Sequence, residues 1–447
     1  MQAPGRRETS WLHLKPCNPL QKNLHWIIVT SSNPSIFLSA GEASGDHYGA
    51  QILSELRTRH PALTSFGLGG KEMEASGLDR IVRAEDVAHM GITEVIRHMP
   101  YIYGEYRRLV AAIRKRRPDV AILIDFPDVN FRLARELKKL NIPVIYFVSP
   151  QLWAWKRRRL RWVQQRVSHM MVIFPFEEKF YRSRGVDADY VGHPLAELPK
   201  PTISRQDYAT LHGLDPSKQW IAILPGSRWK EITANLDGMI ELAHHLPSGF
   251  EFILPVAATI SRDKLATHIA GNDEWWPAKP ESDLNCLNIY LVPDARDALH
   301  HARASVIASG TATVQAAVIG NPFVVVYRVS PLTFRVAKRL VHYPPEIPAQ
   351  LDAEGNLPIA MVNLIAGRRV VPELLQDRFT AKNLADALLP LLIDGPKRQQ
   401  MIADLIEVGR ILHPASESTS IQRVCDAVEA LLARNAAAGG RNATANV

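Results

Sequence analysis

The sequence predicts an α/β protein built from two Rossmann-like domains whose parallel sheets face a common cleft. The chain has 447 residues, more than one hydrophobic core usually holds. Short apolar runs alternate with amphipathic helical segments, and this alternation indicates parallel sheets covered by helices. It occurs twice, on either side of the proline-rich stretch at 192–206. Functional residues are therefore expected in the cleft, beyond the carboxyl ends of both sets of strands.

The same pattern divides the chain into five parts. Arg6 and Arg7 are followed by mixed polar sequence without the apolar core of a signal peptide, so an N-terminal extension is expected. The parts are a poorly ordered extension (1–35), the first Rossmann-like domain (36–198), the second (199–380), helices packing across the domains (381–435) and a disordered tail (436–447).

The sequence disfavours both a protein held together by disulfides and a protein that spans a membrane. Three cysteines lie far apart and match no metal or redox spacing, which indicates reduced thiols of a cytosolic protein. They are Cys17, Cys286 and Cys425. Residues 304–327 carry no charge and are long enough to span a bilayer, but Gly310 and the glycine-asparagine-proline turn at 320–322 divide them into strand, helix and strand. We therefore predict no transmembrane helix.

The chain is basic, with a formal net charge of +8 and a pI near 9.3. This charge suits an anionic partner: a nucleic acid, a membrane surface or a phosphorylated substrate. Net charge alone does not choose among them.

The stretch SAGEASGD follows the first predicted strand and contains Gly41, Glu42, Ser44, Gly45 and Asp46. Glycines there permit a tight turn and the close approach of a ligand. The spacing is neither that of the dinucleotide fingerprint nor that of a P-loop. The alternative is an ordinary strand-to-helix turn in which Asp46 caps the helix.

The run ILIDFPDVN places Asp125 at the carboxyl end of an otherwise apolar strand. A carboxylate at that position faces the cleft, where partial desolvation raises its pKa toward the range of a general base. Asp128, just before the next helix, is better explained as a helix N-cap.

Two turns in the second half of the chain predict an anion site. In LPGSR, the backbone N–H groups of Gly226 and Ser227 and the side chain of Arg228 precede a helix, a combination suited to a pyrophosphate. The stretch ASGTATVQAA repeats the device with Ser309, Gly310 and Thr311, and places Gln315 one helical turn further, within reach of a ribose. The alternatives are an ordinary turn with a surface arginine and a buried helix packed closely through small residues.

An aromatic and basic stretch, SPQLWAWKRRRLRW, contains Trp153, Trp155, Arg157 and Arg158. Such a surface suits base stacking or an anionic membrane, and a solvated basic helix face is the simpler alternative. His193, beside the proline-rich linker, is a candidate for ligand contact or for a loop hydrogen bond.

Taken together, ten motifs in order resemble the lipid-A-disaccharide synthase family of inverting glycosyltransferases, whose architecture is the two-Rossmann GT-B type. The resemblance covers about residues 36 to 430. Its motifs are AGEASGD, MGITEV, IDFPDVNF, YFVSPQLWAW, PFEEKFY, VGHP, LPGSR, ASGTAT, YRVSPLTF and NLIAGR.

This resemblance implies transfer of 2,3-diacylglucosamine from its UDP carrier to the 6-hydroxyl of 2,3-diacylglucosamine 1-phosphate (lipid X), giving a β-linked disaccharide and UDP. It implies that Asp125 is the base, that Arg228 and the two glycine turns bind UDP, and that Asn363 of NLIAGR lies at the donor site. Gln315 stands where the family usually has glutamate. The turn from Gly41 to Asp46, with His193, would form the acceptor side.

The resemblance further implies a metal-independent enzyme without cofactors, attached to the inner face of the cytoplasmic membrane through Trp153, Trp155, Arg157 and Arg158. A homodimer is left open. The enzyme alternatives are a UDP-N-acetylglucosamine 2-epimerase or a peptidoglycan-precursor glycosyltransferase of the same fold. A basic nucleic-acid-binding module is disfavoured, because basic residues are spread through both halves rather than gathered beside one aromatic platform.

Overall fold

The computed structural model describes residues 33–88, 99–271, 288–414 and 416–444. It contains two parallel sheets covered by helices, as the sequence predicts. Most of the N-terminal extension, the MGITEV motif, Cys17 and Cys286 lie outside the described residues.

The first sheet consists of seven parallel strands. They are β1 (Ser35–Ala40), β2 (Thr64–Gly69), β3 (Asp79–Arg83), β4 (Val120–Ile124), β5 (Val144–Phe147), β6 (His169–Val172) and β7 (Ala188–Tyr190), in the spatial order β3-β2-β1-β4-β5-β6-β7. Every residue of β4 is buried. Helices cover both faces of the sheet, which is why its strands read as continuous apolar runs rather than as alternating patterns.

The second sheet consists of six parallel strands. They are β8 (Gln219–Leu224), β9 (Phe250–Pro255), β10 (Ile289–Val292), β11 (Ala304–Ala308), β12 (Phe323–Tyr327) and β13 (Glu373–Leu375), in the order β10-β9-β8-β11-β12-β13. The uncharged segment 304–327 forms β11, a helix and β12, confirming the predicted strand-helix-strand unit. In the described part of the chain, no helix combines the length and apolarity that crossing a bilayer requires.

Helices connect the strands. In the first domain they are α1 (Ala43–Arg59), α2 (Lys71–Ala75), α3 (Glu85–Ala88), α4 (Met99–Arg116), α5 (Pro127–Lys139), α6 (Leu160–Arg166), α7 (Pro175–Arg182) and α8 (Pro194–Glu197). In the second they are α9 (Arg205–His212), α10 (Trp229–Ile240), α11 (Arg262–Ala270), α12 (Ala295–His301), α13 (Thr311–Ile319), α14 (Pro331–Leu340) and α15 (Met361–Ala366), and after it come α16 (Ala381–Leu392) and α17 (Pro396–Leu412).

The last helix, α18 (Ser420–Thr444), returns to the first domain and packs on α1. Arg59 forms an ion pair of 2.6 Å with Asp426, and the buried Cys425 Sγ lies 3.8 Å from the Ile52 carbonyl oxygen. The helix continues past residue 436, where the sequence predicts a disordered tail. The alanines at 436–438 favour this continuation, because alanine has the highest helix propensity.

Each sheet reverses its strand order once, between β1 and β4 in the first domain and between β8 and β11 in the second. At such a switch point the adjoining connections leave in opposite directions, which opens a crevice beyond the strand ends. The turns singled out from the sequence follow these four strands. The topology therefore gathers them at two crevices, one in each domain.

Candidate active site between the two domains

Asp125 lies immediately after β4 in a left-handed backbone conformation, with φ of 44°, and Phe126 follows with φ of 46°. Such conformations cost about 1–2 kcal/mol for each residue that is not glycine. Hydrogen bonds stabilise the strained backbone at Asp125. The Asp125 N–H donates to the Phe147 carbonyl oxygen at 2.9 Å, and its own carbonyl oxygen accepts from the Tyr146 hydroxyl at 2.5 Å.

Asn130, on the first turns of α5, completes this clamp. Its side-chain amide donates to the Asp125 carbonyl oxygen at 2.7 Å and to the Ile124 carbonyl oxygen at 3.1 Å, while its Oδ1 accepts from the Ser39 hydroxyl at 2.6 Å. The side chain is fully buried. Asn130 thus fixes the direction of the Asp125 backbone. Asn130 was not predicted from the sequence, although an asparagine five residues after a strand-end aspartate is a usable signal.

The Asp125 carboxyl group titrates unusually high. Its pKa is raised to about 6, chiefly by burial and then by the nearby Glu42 carboxylate, while a hydrogen bond from the Phe126 N–H and the Arg228 guanidinium act in the opposite direction. At neutral pH the group is largely ionised but far more basic than an ordinary aspartate. This supports the predicted role as a proton acceptor.

Glu42 and Arg228 meet across the cleft. The Arg228 Nη2 atom lies 3.6 Å from Glu42 Oε1, and both side chains are exposed. An exposed ion pair of this kind stabilises little. The contact instead shows the arrangement of the site: the turn after β1, the end of β4 and the turn after β8 lie close together.

The turn after β8 binds a carboxylate of the protein itself, that of Glu231. The Glu231 carboxylate accepts hydrogen bonds from the Ser227 N–H at 2.9 Å and the Arg228 N–H at 3.3 Å, and from the Arg228 guanidinium at 3.1 Å. Gly226 has φ of 133°, and a Cβ atom there would lie 2.5 Å from Glu231 atoms. The turn therefore binds a carboxylate, as an anion site should. Glu231, a capping-box residue on α10, was not predicted.

The second turn, after β11, is open. Gly310 precedes α13, whose N-terminus carries no side-chain cap, and the space beside Gly310 is empty within 4 Å. Gly310 and Thr311 are exposed, and the Ser309 hydroxyl donates to the Ile359 carbonyl oxygen at 3.4 Å. Gln315 is half-buried one turn into the helix. Unpaired N–H groups at a helix start favour an anion.

Three acceptor-side predictions are corrected by the packing. Gly41 is buried, and a Cβ atom there would lie 2.4 Å from the Phe126 ring, so the glycine makes room for Phe126 rather than for a sugar. Gly45 is buried against Ala40 and Ile124. Asp46 is buried and accepts hydrogen bonds from the N–H groups of Gly70, Glu72 and Met73, so it caps α2. Glu42 and Ser44 remain exposed.

His193 is buried at the start of α8. Its Nδ1 accepts from the Leu195 N–H at 3.2 Å, and its ring packs against Phe174. Burial lowers the pKa of this imidazole to about 4, so it is neutral. The structure supports a loop and cap role; it gives no support to the predicted ligand contact.

Asn363 on α15 is also structural. Its Oδ1 accepts from the N–H groups of Val370 and Val371 at 2.7 and 3.0 Å, and its Nδ2 donates to the Val371 carbonyl oxygen at 3.0 Å and to Glu373 at 2.8 Å. The residue is buried and its amide has no capacity left for a ligand. The predicted donor contact is therefore corrected to a role in holding the loop before β13.

We expect Asn363→Ala to lower the free energy of unfolding by about 3 kcal/mol, because it leaves two buried N–H groups and the Glu373 carboxylate short of partners. Urea unfolding measures this. The control is Asn383→Ala, a half-buried asparagine whose side-chain amide donates to the Arg378 carbonyl oxygen at 3.0 Å, for which about 0.5 kcal/mol is expected. A stable Asn363→Ala protein with a raised donor KM would contradict the structural assignment.

The aromatic stretch divides into a buried and an exposed part. Trp153 is buried, its indole N–H donates to Glu177 at 3.1 Å, and its ring packs against Phe176 and Tyr343. It cannot contact a membrane, which corrects the prediction. Trp155, Arg157 and Arg158 are exposed, although Arg157 also donates to the His342 carbonyl oxygen. Sequence spacing could not distinguish the two tryptophans, because Glu177 and Tyr343 lie far along the chain.

Among the residues that the structure describes, no group of three or more histidine, cysteine, aspartate or glutamate side chains is placed to hold a metal ion.

Two parallel-sheet Rossmann-like domains, with a strand-end carboxylate in one and two glycine-containing turns before helices in the other, form the GT-B architecture. A search of solved structures agrees on the fold: the calicheamicin glycosyltransferase CalG4 aligns with a TM-score of 0.56 and 15% identity, covering 90% of this chain and 99% of that one. The sequence model of the family described as lipid-A-disaccharide synthetase matches residues 36–424.

Curated relatives specify the family. The lipid-A-disaccharide synthase of Acidobacterium capsulatum is 52% identical over 419 residues, which cover 91% of this chain and 98% of that protein. The lipid-A-disaccharide synthase of Koribacter versatilis is 48% identical, covering 86% and 95%. The chain belongs to the lipid-A-disaccharide synthase family and is a glycosyltransferase.

Proposed function

We propose that this enzyme transfers 2,3-diacylglucosamine from UDP-2,3-diacylglucosamine to the 6-hydroxyl of 2,3-diacylglucosamine 1-phosphate, forming the β-linked disaccharide 1-phosphate and UDP. Membership of the family supports the choice of substrates. The observation that carries the mechanism is the approach of Asp125 and Glu42 from one domain to Arg228 from the other.

In this proposal Asp125 is the general base. Its carboxylate takes the proton of the acceptor 6-hydroxyl as that oxygen attacks the anomeric carbon of the donor. The bond from the anomeric carbon to the UDP oxygen breaks on the opposite side, and the configuration inverts. A pKa near 6 suits proton transfer at neutral pH, and the hydrogen bonds from Asn130 and Tyr146 fix the backbone that carries the carboxylate before the substrates arrive.

The leaving UDP takes up negative charge, and the second domain supplies positive groups to meet it. We place the diphosphate between the Arg228 guanidinium and the open N-terminus of α13, at Ser309, Gly310 and Thr311. Fixed donors at these positions stabilise charge that develops in the transition state. The Ser227 and Arg228 N–H groups join them once the diphosphate displaces the Glu231 carboxylate, which marks where an anion is held.

Because both substrates carry acyl chains, we also propose peripheral attachment to the inner face of the cytoplasmic membrane. The net charge of +8 supports this, since the cytoplasmic leaflet is anionic. Trp155, Arg157 and Arg158 are exposed and remain candidates for contact, whereas Trp153 is not.

We expect Gln315→Glu to lower the donor KM severalfold, about threefold to tenfold, while changing kcat little. A carboxylate accepts hydrogen bonds from a ribose diol roughly twice as strongly as an amide does. Steady-state kinetics with varied donor measures the effect. An unchanged donor KM, or a raised one, would place Gln315 outside ribose contact.

The function is tested by incubating the protein with both acylated substrates, in the presence of a chelator, and detecting disaccharide and UDP by mass spectrometry. Formation of both products supports the substrates and metal independence together. Conversion of UDP-N-acetylglucosamine without acyl chains, with no disaccharide from the acylated pair, would favour the epimerase or the peptidoglycan-precursor transferase instead.

A further inference from the structure

The helix α14 (Pro331–Leu340) is unusual in having no buried residue. Leu332, Val336 and Leu340 follow one another at intervals of four and therefore lie along one side of the helix. They are 67%, 47% and 64% exposed. Phe334 and Ala337, on the opposite side, are half-buried. Three large aliphatic side chains thus form a stripe that points away from the protein.

Cations accompany the stripe. Arg335 and Arg339 lie beside it, and neither has a hydrogen-bond or ion-pair partner among the described residues. Residues 331–342 contain no aspartate or glutamate. The helix is therefore amphipathic in an unusual sense: its exposed side is both aliphatic and cationic.

The segment 151–162 of the first domain extends the same surface. The His342 N–H, just beyond α14, donates to the Ala154 carbonyl oxygen at 3.4 Å, and Arg157 donates to the His342 carbonyl oxygen. Trp155 is exposed, and Lys156 lies 4.0 Å from the centre of its ring. Residues 151–162 also contain no acidic side chain. Both domains contribute to one apolar and basic surface at the cleft edge.

We propose that Leu332, Val336, Leu340 and Trp155, which we call the α14 face, insert into an anionic lipid surface. An interfacial helix buries aliphatic side chains at the boundary between headgroups and acyl chains, while flanking arginines contact lipid phosphates. Arg335, Arg339, Lys156 and Arg158 supply this flank, and Trp155 suits the headgroup depth.

A membrane fits this surface better than other partners do. A two-fold dimer through the α14 face would place the same basic residues of two copies against each other, which costs free energy through like-charge repulsion. A nucleic acid would be drawn to the cations, but three of the four side chains of the α14 face are aliphatic and give its bases no ring to stack on. Only a surface that is both anionic and apolar complements both features.

The α14 face lies where acylated substrates would enter the cleft. This inference about substrate entry rests on the proposed function. The helix follows β12, so it lies at the carboxyl ends of the strands, where the cleft opens. A protein that inserts the α14 face holds its cleft against the lipid phase. Acylated sugars then reach Asp125 without leaving the membrane entirely.

The test is sedimentation of the full chain with vesicles of phosphatidylglycerol and phosphatidylcholine, compared with vesicles of phosphatidylcholine alone. Leu332→Ser/Val336→Ser/Leu340→Ser is expected to weaken binding to the anionic vesicles about tenfold or more, because the inserted apolar area is lost. Arg335→Gln/Arg339→Gln is expected to weaken it about fivefold per charge and to reduce its dependence on salt.

The control is Leu211→Ser/Ile393→Ser/Ile406→Ser, which removes three side chains of matching exposure, 68%, 66% and 47%, elsewhere on the surface. It is expected to bind as the unmodified protein does. Failure of that protein to bind anionic vesicles, equal binding to phosphatidylcholine alone, or full binding by the α14 triple variant would each overturn the proposal. So would a triple variant that loses only self-association in sedimentation velocity.

Disaccharide formation from detergent-dispersed substrates separates this proposal from the proposed function. If the α14 triple variant retains that activity but loses vesicle binding, both proposals are supported. Vesicle binding without any disaccharide formation would contradict the proposed function and still support the α14 face as a lipid-binding surface.

Discussion

Asp125→Asn is expected to lower kcat about 10³-fold while changing the donor KM by less than about threefold. The substitution keeps the size and the backbone clamp of the residue but removes the group that accepts the hydroxyl proton. A loss of this size corresponds to about 4 kcal/mol in activation free energy. Measurement of kcat and KM for both substrates gives the result directly.

The pH dependence of kcat/KM shows which protonation state of Asp125 is active. The carboxylate is the active form, so kcat/KM of the unmodified enzyme should fall about tenfold per pH unit below pH 6, the pKa to which burial and Glu42 raise Asp125. Asp125→Asn should lose this acidic limb. Asp128→Asn is the control, since Asp128 is exposed and paired with Arg159 at 2.6 Å, and it should keep both rate and limb.

Unfolding measurements show whether loss of activity reflects loss of structure. A carboxyl whose pKa is raised on folding favours the folded state when protonated, and that contribution disappears as pH rises through about 6. At pH 7 the ionised Asp125 is therefore a net cost. Asp125→Asn should be at least as stable as the unmodified protein. A variant that is inactive because it unfolds, or one that retains the acidic limb, would contradict the assignment of the base.

Arg228→Ala is expected to lower kcat/KM for the donor about 10²-fold to 10³-fold, the second-largest effect we predict. The guanidinium lies 3.6 Å from the Glu42 carboxylate and lowers the pKa of Asp125 through its charge, and in the proposed function it meets the charge of the leaving diphosphate. Arg228→Lys should recover part of the rate, because a charge remains but the two-pronged hydrogen bonding is lost. Titration calorimetry with UDP, alongside kinetics, measures ground-state binding separately.

Arg262→Ala is the matched control, an exposed arginine near the start of α11 in the same domain with no partner among the described residues. Its kinetics should be those of the unmodified enzyme. If Arg228→Ala loses stability alone, with kcat/KM and UDP affinity preserved, the arginine serves only the pairs with Glu42 and Glu231.

The positions of Asp125, Arg228 and the ASGTAT turn could be predicted because they depend on local patterns. Each follows a continuous apolar strand, and parallel sheets place such strand ends on one edge. The order of the strands was not needed in detail, since any doubly wound arrangement brings these turns toward the cleft.

Asp46, Asn363 and Trp153 could not be assigned correctly from sequence. Their partners lie far along the chain: Asp46 binds the turn after β2, and Trp153 binds Glu177 and packs on Tyr343. A family motif marks such residues without saying whether they touch the substrate or hold the site. Packing decides between the two roles, and for these three residues it favours the structural one.

The chemistry is tested most directly by following the acceptor oxygen. Acceptor labelled with a heavy oxygen isotope in its 6-hydroxyl is incubated with donor, and the products are analysed by mass spectrometry and by NMR of the new anomeric carbon. Direct displacement with Asp125 as base predicts a β-linked disaccharide that retains the label in the glycosidic bond, with unlabelled UDP. Label in UDP, an α-linkage, or free sugar in place of disaccharide would contradict the account.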